Sequence, residues 1–180
     1  YTSKRFINLL YNYEYINSSA LTNDKKKLDL IIFFHMHRIL FDLKTKKTSE
    51  ISSFDLIAYV LTSLIKNKKN YNVINYIKFI TENQIDKIGM HKSYNILEHS
   101  KFINNLYEIK NILLFFNIKK SDIFDELILK MTSILNQYFH SDGSIPLFNG
   151  SNNIYTKIIY DSLNKDTYLA KREFANINNG

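Results

Sequence analysis

At 180 residues the chain has the size of one domain, enough to bury roughly 70% of its unfolded surface. It contains no cysteine, which excludes disulfides, thiolate zinc sites and thiol catalysis. The formal charge is +7, but only three of the 24 basic residues are arginine (Arg5, Arg38 and Arg172), and the lysines gather in turns at 25–27, 44–47 and 66–69. Arginine is the residue suited to bidentate phosphate recognition, so the excess of lysine reads as a solvated surface and nucleic acid is not an expected partner. No apolar run approaches the roughly 20 residues that cross a bilayer, so no membrane span is expected.

In chain order the pattern is helical. Residues 4–18 place Phe6, Leu9, Leu10, Tyr13 and Ile16 on one stripe, the spacing of an amphipathic helix. A second helix is predicted from about Asn23 to Leu43, capped by Asp24 and closed by Lys44 to Lys47. Ser52 or Ser53 caps a third that carries Leu56, Ile57, Val60, Leu61, Leu64 and Ile65. A fourth spans about 71–87, with Val73, Ile74, Ile77 and Ile80 inward. A fifth runs from about Asn95 to Phe116. The sixth opens at Ser121, whose spacing to Asp125 loosely resembles a capping box, and ends near Phe139. After a loop at 140–153, Ile154 to Leu163 reads as a short seventh helix. The fold class is therefore all-α. Antiparallel hairpins joined by short turns fit bundles, α-solenoids and α/α toroids, and the lack of a fixed repeat counts against solenoid arrays. The start at Tyr1 and the polar run 175–180 suggest a single helical domain, 1–180, cut from a longer polypeptide.

Glycine occurs four times and proline once, and Gly89, Gly143, Gly150 and Pro146 fall in two short turns with two of the five histidines. Such breakers mark where a helical scaffold can hold a functional surface. In the first turn, Gly89-Met90-His91-Lys92-Ser93-Tyr94-Asn95, the spacing of Tyr94 to Glu98 and of Asn95 to His99 puts two polar ridges at the start of the fifth helix. Free N–H groups and a positive dipole there suit a carboxylate ligand. The same spacing also fits plain capping, with Ser93 or Asn95 as N-cap and Glu98 near the dipole. The second turn, His140-Ser141-Asp142-Gly143-Ser144-Ile145-Pro146-Leu147-Phe148-Asn149-Gly150, fits either a functional surface or a connector whose apolar residues plug the core. His35 and His37 lie two apart on an apolar helix and share no face, so no metal site is expected. No phosphate-binding glycine loop, nucleophile elbow or His-Glu-x-x-His motif occurs, and no cofactor is expected.

At these two turns the chain resembles the helical N-terminal part of the heparinase II/III-like polysaccharide lyases, whose bacterial members carry a Gly-x-His turn and, later, a His-x-Asp-Gly-Gly-x-x-x-Leu-Phe-Asn-Gly segment. Gly89, His91, Ser93 and Asn95 hold the places of the first motif, with Ile96 where proline is common. His140 to Gly150 resembles the second, with Ser144 where the second glycine stands, and the likeness covers about 85–155. The resemblance implies an incomplete α/α toroid followed by a C-terminal β-sandwich, a periplasmic or envelope setting, and β-elimination on acidic, uronate-containing polysaccharide. Under that reading Tyr94, His99 and His91 are the catalytic candidates. Asn95, Glu98, His140, Asp142 and Asn149 are the substrate-binding ones. Such chemistry needs a tyrosine or histidine base and neutral or cationic partners for the developing enolate. Glu98 stands where active members carry the catalytic tyrosine, and other catalytic groups of the family lie in the β-sandwich. The competing expectation is a non-catalytic α-helical scaffold or interaction domain that keeps the toroid fold.

Overall fold

The structure, a computed structural model, describes residues 2–66, 70–118, 124–138 and Pro146. Within them the chain forms seven α-helices: α1 (Thr2–Tyr11), α2 (Tyr13–Ser18), α3 (Thr22–Thr45), α4 (Ser53–Ile65), α5 (Asn70–Gln84), α6 (Ile96–Phe115) and α7 (Asp125–Gln137). Among the described residues there is no strand, only an isolated antiparallel bridge between Ile85 and His91. The all-α class is thus the observed one. No described helix is long and apolar enough to cross a membrane. The chain divides into two compact units, Tyr1–Ile80 and Thr81–Gly180, with the boundary inside α5.

In the first unit α1, α3 and α4 pack on one another. Helix α4 is the centre: Leu56, Ile57, Ala58 and Val60 are completely enclosed, facing a layer that includes Phe6 of α1 and Ile32, Met36 and Ile39 of α3. A helix so uniformly apolar is stable only when surrounded, and burying each large aliphatic side chain contributes about 1.5–3 kcal/mol. Its start is fixed by Ser52. The Ser52 hydroxyl accepts the Asp55 N–H at 3.2 Å, and the Asp55 carboxylate accepts the Ser52 N–H at 2.9 Å, a reciprocal capping box. The same carboxylate accepts from the Ser3 hydroxyl of α1 and from the Lys46 ammonium, the latter at 3.0 Å. One buried acid therefore ties α1, the end of α3 and the start of α4.

Three predicted boundaries differ. The helix expected over 4–18 breaks at Asn12, whose side-chain amide donates to the Asn8 carbonyl at 2.8 Å and competes with the backbone N–H for that acceptor. Helix α3 starts after Leu21, and Asp24 lies inside its first turn, paired with Lys27 at 3.1 Å instead of capping. Helix α5 stops at Gln84, not 87, because Asp86 recruits the following N–H groups into a turn of its own. By contrast, Ser52 caps α4, and Asn95 caps α6, as the spacing predicts. The start expected at Ser121, the 140–153 loop apart from Pro146 and the helix expected over 154–163 lie outside the described residues.

In the second unit α6 packs on α7. Ile96, Ile103, Leu106 and Ile109 of α6 and Ile128, Met131 and Leu135 of α7 are all at most 1% exposed, so the two helices share one dry seam. Beneath the start of α6 runs the segment 85–95, which carries the site.

Candidate functional site

The segment between α5 and α6 is built from its acceptors. Asp86 Oδ1 takes the N–H groups of Ile88, Gly89 and Met90 at 2.9–3.0 Å, an Asx-type turn that leaves none of the three orphaned. Gly89 sits at φ +105°, a conformation that costs a residue with a Cβ, which explains the glycine at this one position. The chain then doubles back. The Asp86 N–H reaches the Met90 carbonyl at 2.9 Å and the Lys92 N–H reaches the Gln84 carbonyl at 2.8 Å, while Met90 plugs the core with no exposed surface. Two side chains pin the loop from outside: Lys92 donates to the Asn83 carbonyl and Lys130 of α7 to the Lys87 carbonyl, both at 2.7 Å.

Five of the residues singled out in the sequence, His91, Tyr94, Asn95, Glu98 and His99, meet at this loop–helix junction. Asn95 is the N-cap of α6, its Oδ1 accepting the Glu98 N–H at 3.0 Å. Glu98 is exposed and paired with Lys101 at 2.7 Å. Tyr94 is about half exposed and adopts φ +50°, a left-handed conformation uncommon for a bulky residue. His91 is half-buried, its ring 5.3 Å from that of Phe102. His99 has no exposed surface.

The hydrogen bonds fix both imidazole tautomers. The backbone N–H of His91 donates to Nδ1 of His99 at 3.1 Å, so that nitrogen holds the lone pair. Nε2 of His99 then carries the proton and donates it to the Met131 carbonyl of α7 at 2.9 Å. In the same way the Ser93 N–H donates to Nδ1 of His91 at 3.2 Å. The Ser93 hydroxyl, which accepts the Asn95 N–H at 3.3 Å, donates to that nitrogen at 2.8 Å. The neutral His91 ring therefore also carries its proton on Nε2.

Burial lowers the pKa of His99; the bond to the Met131 carbonyl pulls back, and neighbouring His91 lowers it further. Burial lowers that of His91 too, against the raising influence of Glu98. Both rings are held neutral near pH 7.

The chemistry of this arrangement is specific. A general base needs a lone pair facing its proton, yet both Nδ1 lone pairs are used inside the loop. His99 has neither nitrogen left over, so here it locks the loop to α6 and α7. His91 presents Nε2–H, a neutral donor to which no described residue bonds. The Glu98 carboxylate acts on this ring electrostatically, and Tyr94 belongs to the same turn, its backbone N–H donating to the His91 carbonyl at 2.8 Å. His140, Asp142 and Asn149 lie outside the described residues. Among the described residues no group of three or more His, Cys, Asp or Glu side chains could hold a metal ion.

Sequence reasoning missed Asp86, which organises the turn, and the Met131 carbonyl, which fixes His99. The Asp-x-x-Gly spacing of Asp86 and Gly89 is a readable signal for the first. Nothing in the sequence marks the second, because the contact joins residues 32 positions apart. No family model, curated protein or solved structure matches this chain.

Proposed function

We propose that the chain is the helical, glycan-binding part of a heparinase II/III-like polysaccharide lyase, with the 85–99 junction at the sugar. Its helices are read as successive hairpins of an incomplete α/α toroid, with a β-sandwich following in the same polypeptide. In this reading His91 and Tyr94 contact the glycan, Asn95 and Glu98 shape the rim, and His99 is a positioning residue. The observation that carries it is the pair of fixed tautomers: His91 is made a neutral Nε2–H donor next to a tyrosine held in a left-handed turn. A neutral donor suits a sugar hydroxyl or a uronate oxygen at pH 7, and a tyrosine ring offers a face for a pyranose. Neither histidine is set up to remove the C5 proton of a uronic acid. The base and the acid for the leaving 4-oxygen would then come from Tyr94 or from the β-sandwich.

A second reading, a non-catalytic interaction domain, is favoured by Glu98, since an exposed carboxylate beside His91 repels a uronate. Titrating uronate oligosaccharides into the labelled chain separates the two readings by amide shifts. Saturable shifts at 91–95 that disappear in Tyr94→Ala and His91→Ala support the glycan site. A flat response across a broad panel of uronate-containing oligosaccharides overturns it. For the full polypeptide, ultraviolet absorbance of an unsaturated uronate product tests the elimination itself.

A further inference from the structure

Helix α3 is apolar on two sides, and only one is used by the core. Leu28, Ile32, Met36, Ile39 and Leu43 are buried. On the opposite side Leu30, Phe34, His37 and Phe41 recur at i, i+4, i+7 and i+11, which is one face at 3.6 residues per turn. Leu30 is 55% exposed, Phe34 66% and Phe41 58%, and Phe33 beside them 49%. A contiguous apolar ridge of this kind on a surface marks an interaction site.

Charge identifies what it suits. Lys26 and Lys44 lie on the same helical face at its two ends, and Lys66, at the end of α4, stands 6.0 Å over the Phe33 ring. No carboxylate of α3 shares this face: Asp24 and Asp42 lie on its flank, paired with Lys27 and Arg38, and Asp29 lies on the other side, bonded to Tyr13. Lys26, Lys44 and Lys66 make no ion pair with any described residue. A second copy of the chain would bring these cations against themselves. A sugar wants a flat aromatic platform, whereas Phe33 and Phe34 meet edge-on at 71°. Protruding phenyl and leucyl groups bracketed by lysines match an interfacial helix, which sinks its apolar side chains below the headgroups while the ammonium groups stay at the phosphates.

The geometry points to the outward face of α3 as a peripheral docking surface for an anionic lipid bilayer. The 24-residue helix lies along the membrane plane and does not cross it. Leu30, Phe34 and Phe41 enter the headgroup–acyl boundary, and Lys26, Lys44 and Lys66 neutralise lipid phosphates.

Co-sedimentation of the 180-residue chain with vesicles of phosphatidylcholine and phosphatidylglycerol, against phosphatidylcholine alone, tests this. Binding is expected only with the anionic lipid and falls as salt rises. Lys26→Gln with Lys44→Gln should weaken the partition about 25-fold, at about fivefold per lysine. Phe34→Ser with Phe41→Ser should weaken it about tenfold or more. All four positions are exposed, so circular dichroism should be unchanged. Equal binding to neutral vesicles, no binding at low salt, or variants that bind like the parent would overturn the inference. Saturable binding of an acidic helical peptide without vesicle binding would also overturn it, by reassigning the face to a protein partner. So would a stable dimer in sedimentation that the phenylalanine variants dissolve.

Discussion

Replacing His99 with alanine tests the architecture of the junction most directly. The ring has no exposed surface and bridges two backbone groups, the His91 N–H at 3.1 Å and the Met131 carbonyl at 2.9 Å. Orphaning a buried polar group costs about 1–3 kcal/mol. The Met131 carbonyl keeps the bond it accepts within α7, and the His91 N–H lies in a half-buried loop, so both belong near the lower end. With the void left by the ring, the loss should come to about 2–4 kcal/mol. Urea unfolding at pH 7.5 measures it. The pH dependence supplies a second, independent number. Because burial lowers the folded-state pKa of His99 and His91, the unfolded chain binds more protons at mildly acidic pH. Their contribution is fully present above the ordinary histidine value of 6.5, falls as pH drops through the folded values and is level below them. Each ring can add at most about 1.4 kcal/mol per pH unit. His99→Ala should remove one ring's share of that slope. A variant within about 0.5 kcal/mol of the parent, or one with the full acid slope, would refute the account of His99 as a neutral, doubly bonded lock.

Asp55→Ala should cost about 3 kcal/mol, since it strands the Ser52 N–H and the Ser3 hydroxyl; the partly exposed Lys46 adds little. Burial pushes the Asp55 pKa up, but bonds from Ser3, Ser52 and Lys46 outweigh it and leave the pKa low. Its stabilisation is therefore present above the ordinary aspartate value of 3.8 and lost as pH falls below it, a window separate from the histidine one. Gly89→Ala should destabilise by about 1–3 kcal/mol in the same urea assay. The new Cβ meets a φ of +105° and lies 2.9 Å from Lys130 Cγ, whose ammonium is tethered to the Lys87 carbonyl. Tyr94→Gly should hold or raise stability by up to about 1 kcal/mol, since glycine accepts the left-handed turn, while abolishing oligosaccharide-induced shifts at 91–95. A variant that loses both, or neither, contradicts the assignment of Tyr94 to binding.

What was legible in the sequence follows from range. Helix existence and type came from local periodicity, and the side-chain caps at Ser52 and Asn95 act over three residues. Boundaries failed where a side chain competed with its own backbone: Asn12 breaks the first helix, and Asp86 ends α5 early. The capping of α6 and the presence of Glu98 in its first turn were readable from spacing. The burial of His99 was not, because it depends on α7 packing over α6, which no local pattern reports. Asp55 was likewise invisible as a hub, since Ser3 and Lys46 reach it only once α1 and α3 have packed.

The two histidines show why a motif that names residue types does not assign their roles. His91 and His99 are eight residues apart and share a helix start, and by composition either could be a base. What separates them is which atom each nitrogen meets. Backbone N–H groups occupy Nδ1 in both, one from His91 itself and one from Ser93, so the loop spends its own donors to fix two neutral tautomers. The Met131 carbonyl then takes the remaining proton of His99, whereas no described residue takes that of His91. The result is a division of labour in which the inner ring holds the loop and the outer ring keeps one donor available. Ser93→Ala probes this division. Without the hydroxyl, Nδ1 of His91 keeps only the longer bond from the Ser93 N–H, and the alternative Nδ1–H tautomer becomes accessible. Nitrogen chemical shifts of the His91 ring should move toward a tautomer mixture while those of His99 stay fixed. If both rings move together, they form one coupled unit, and the separate roles assigned to them do not hold.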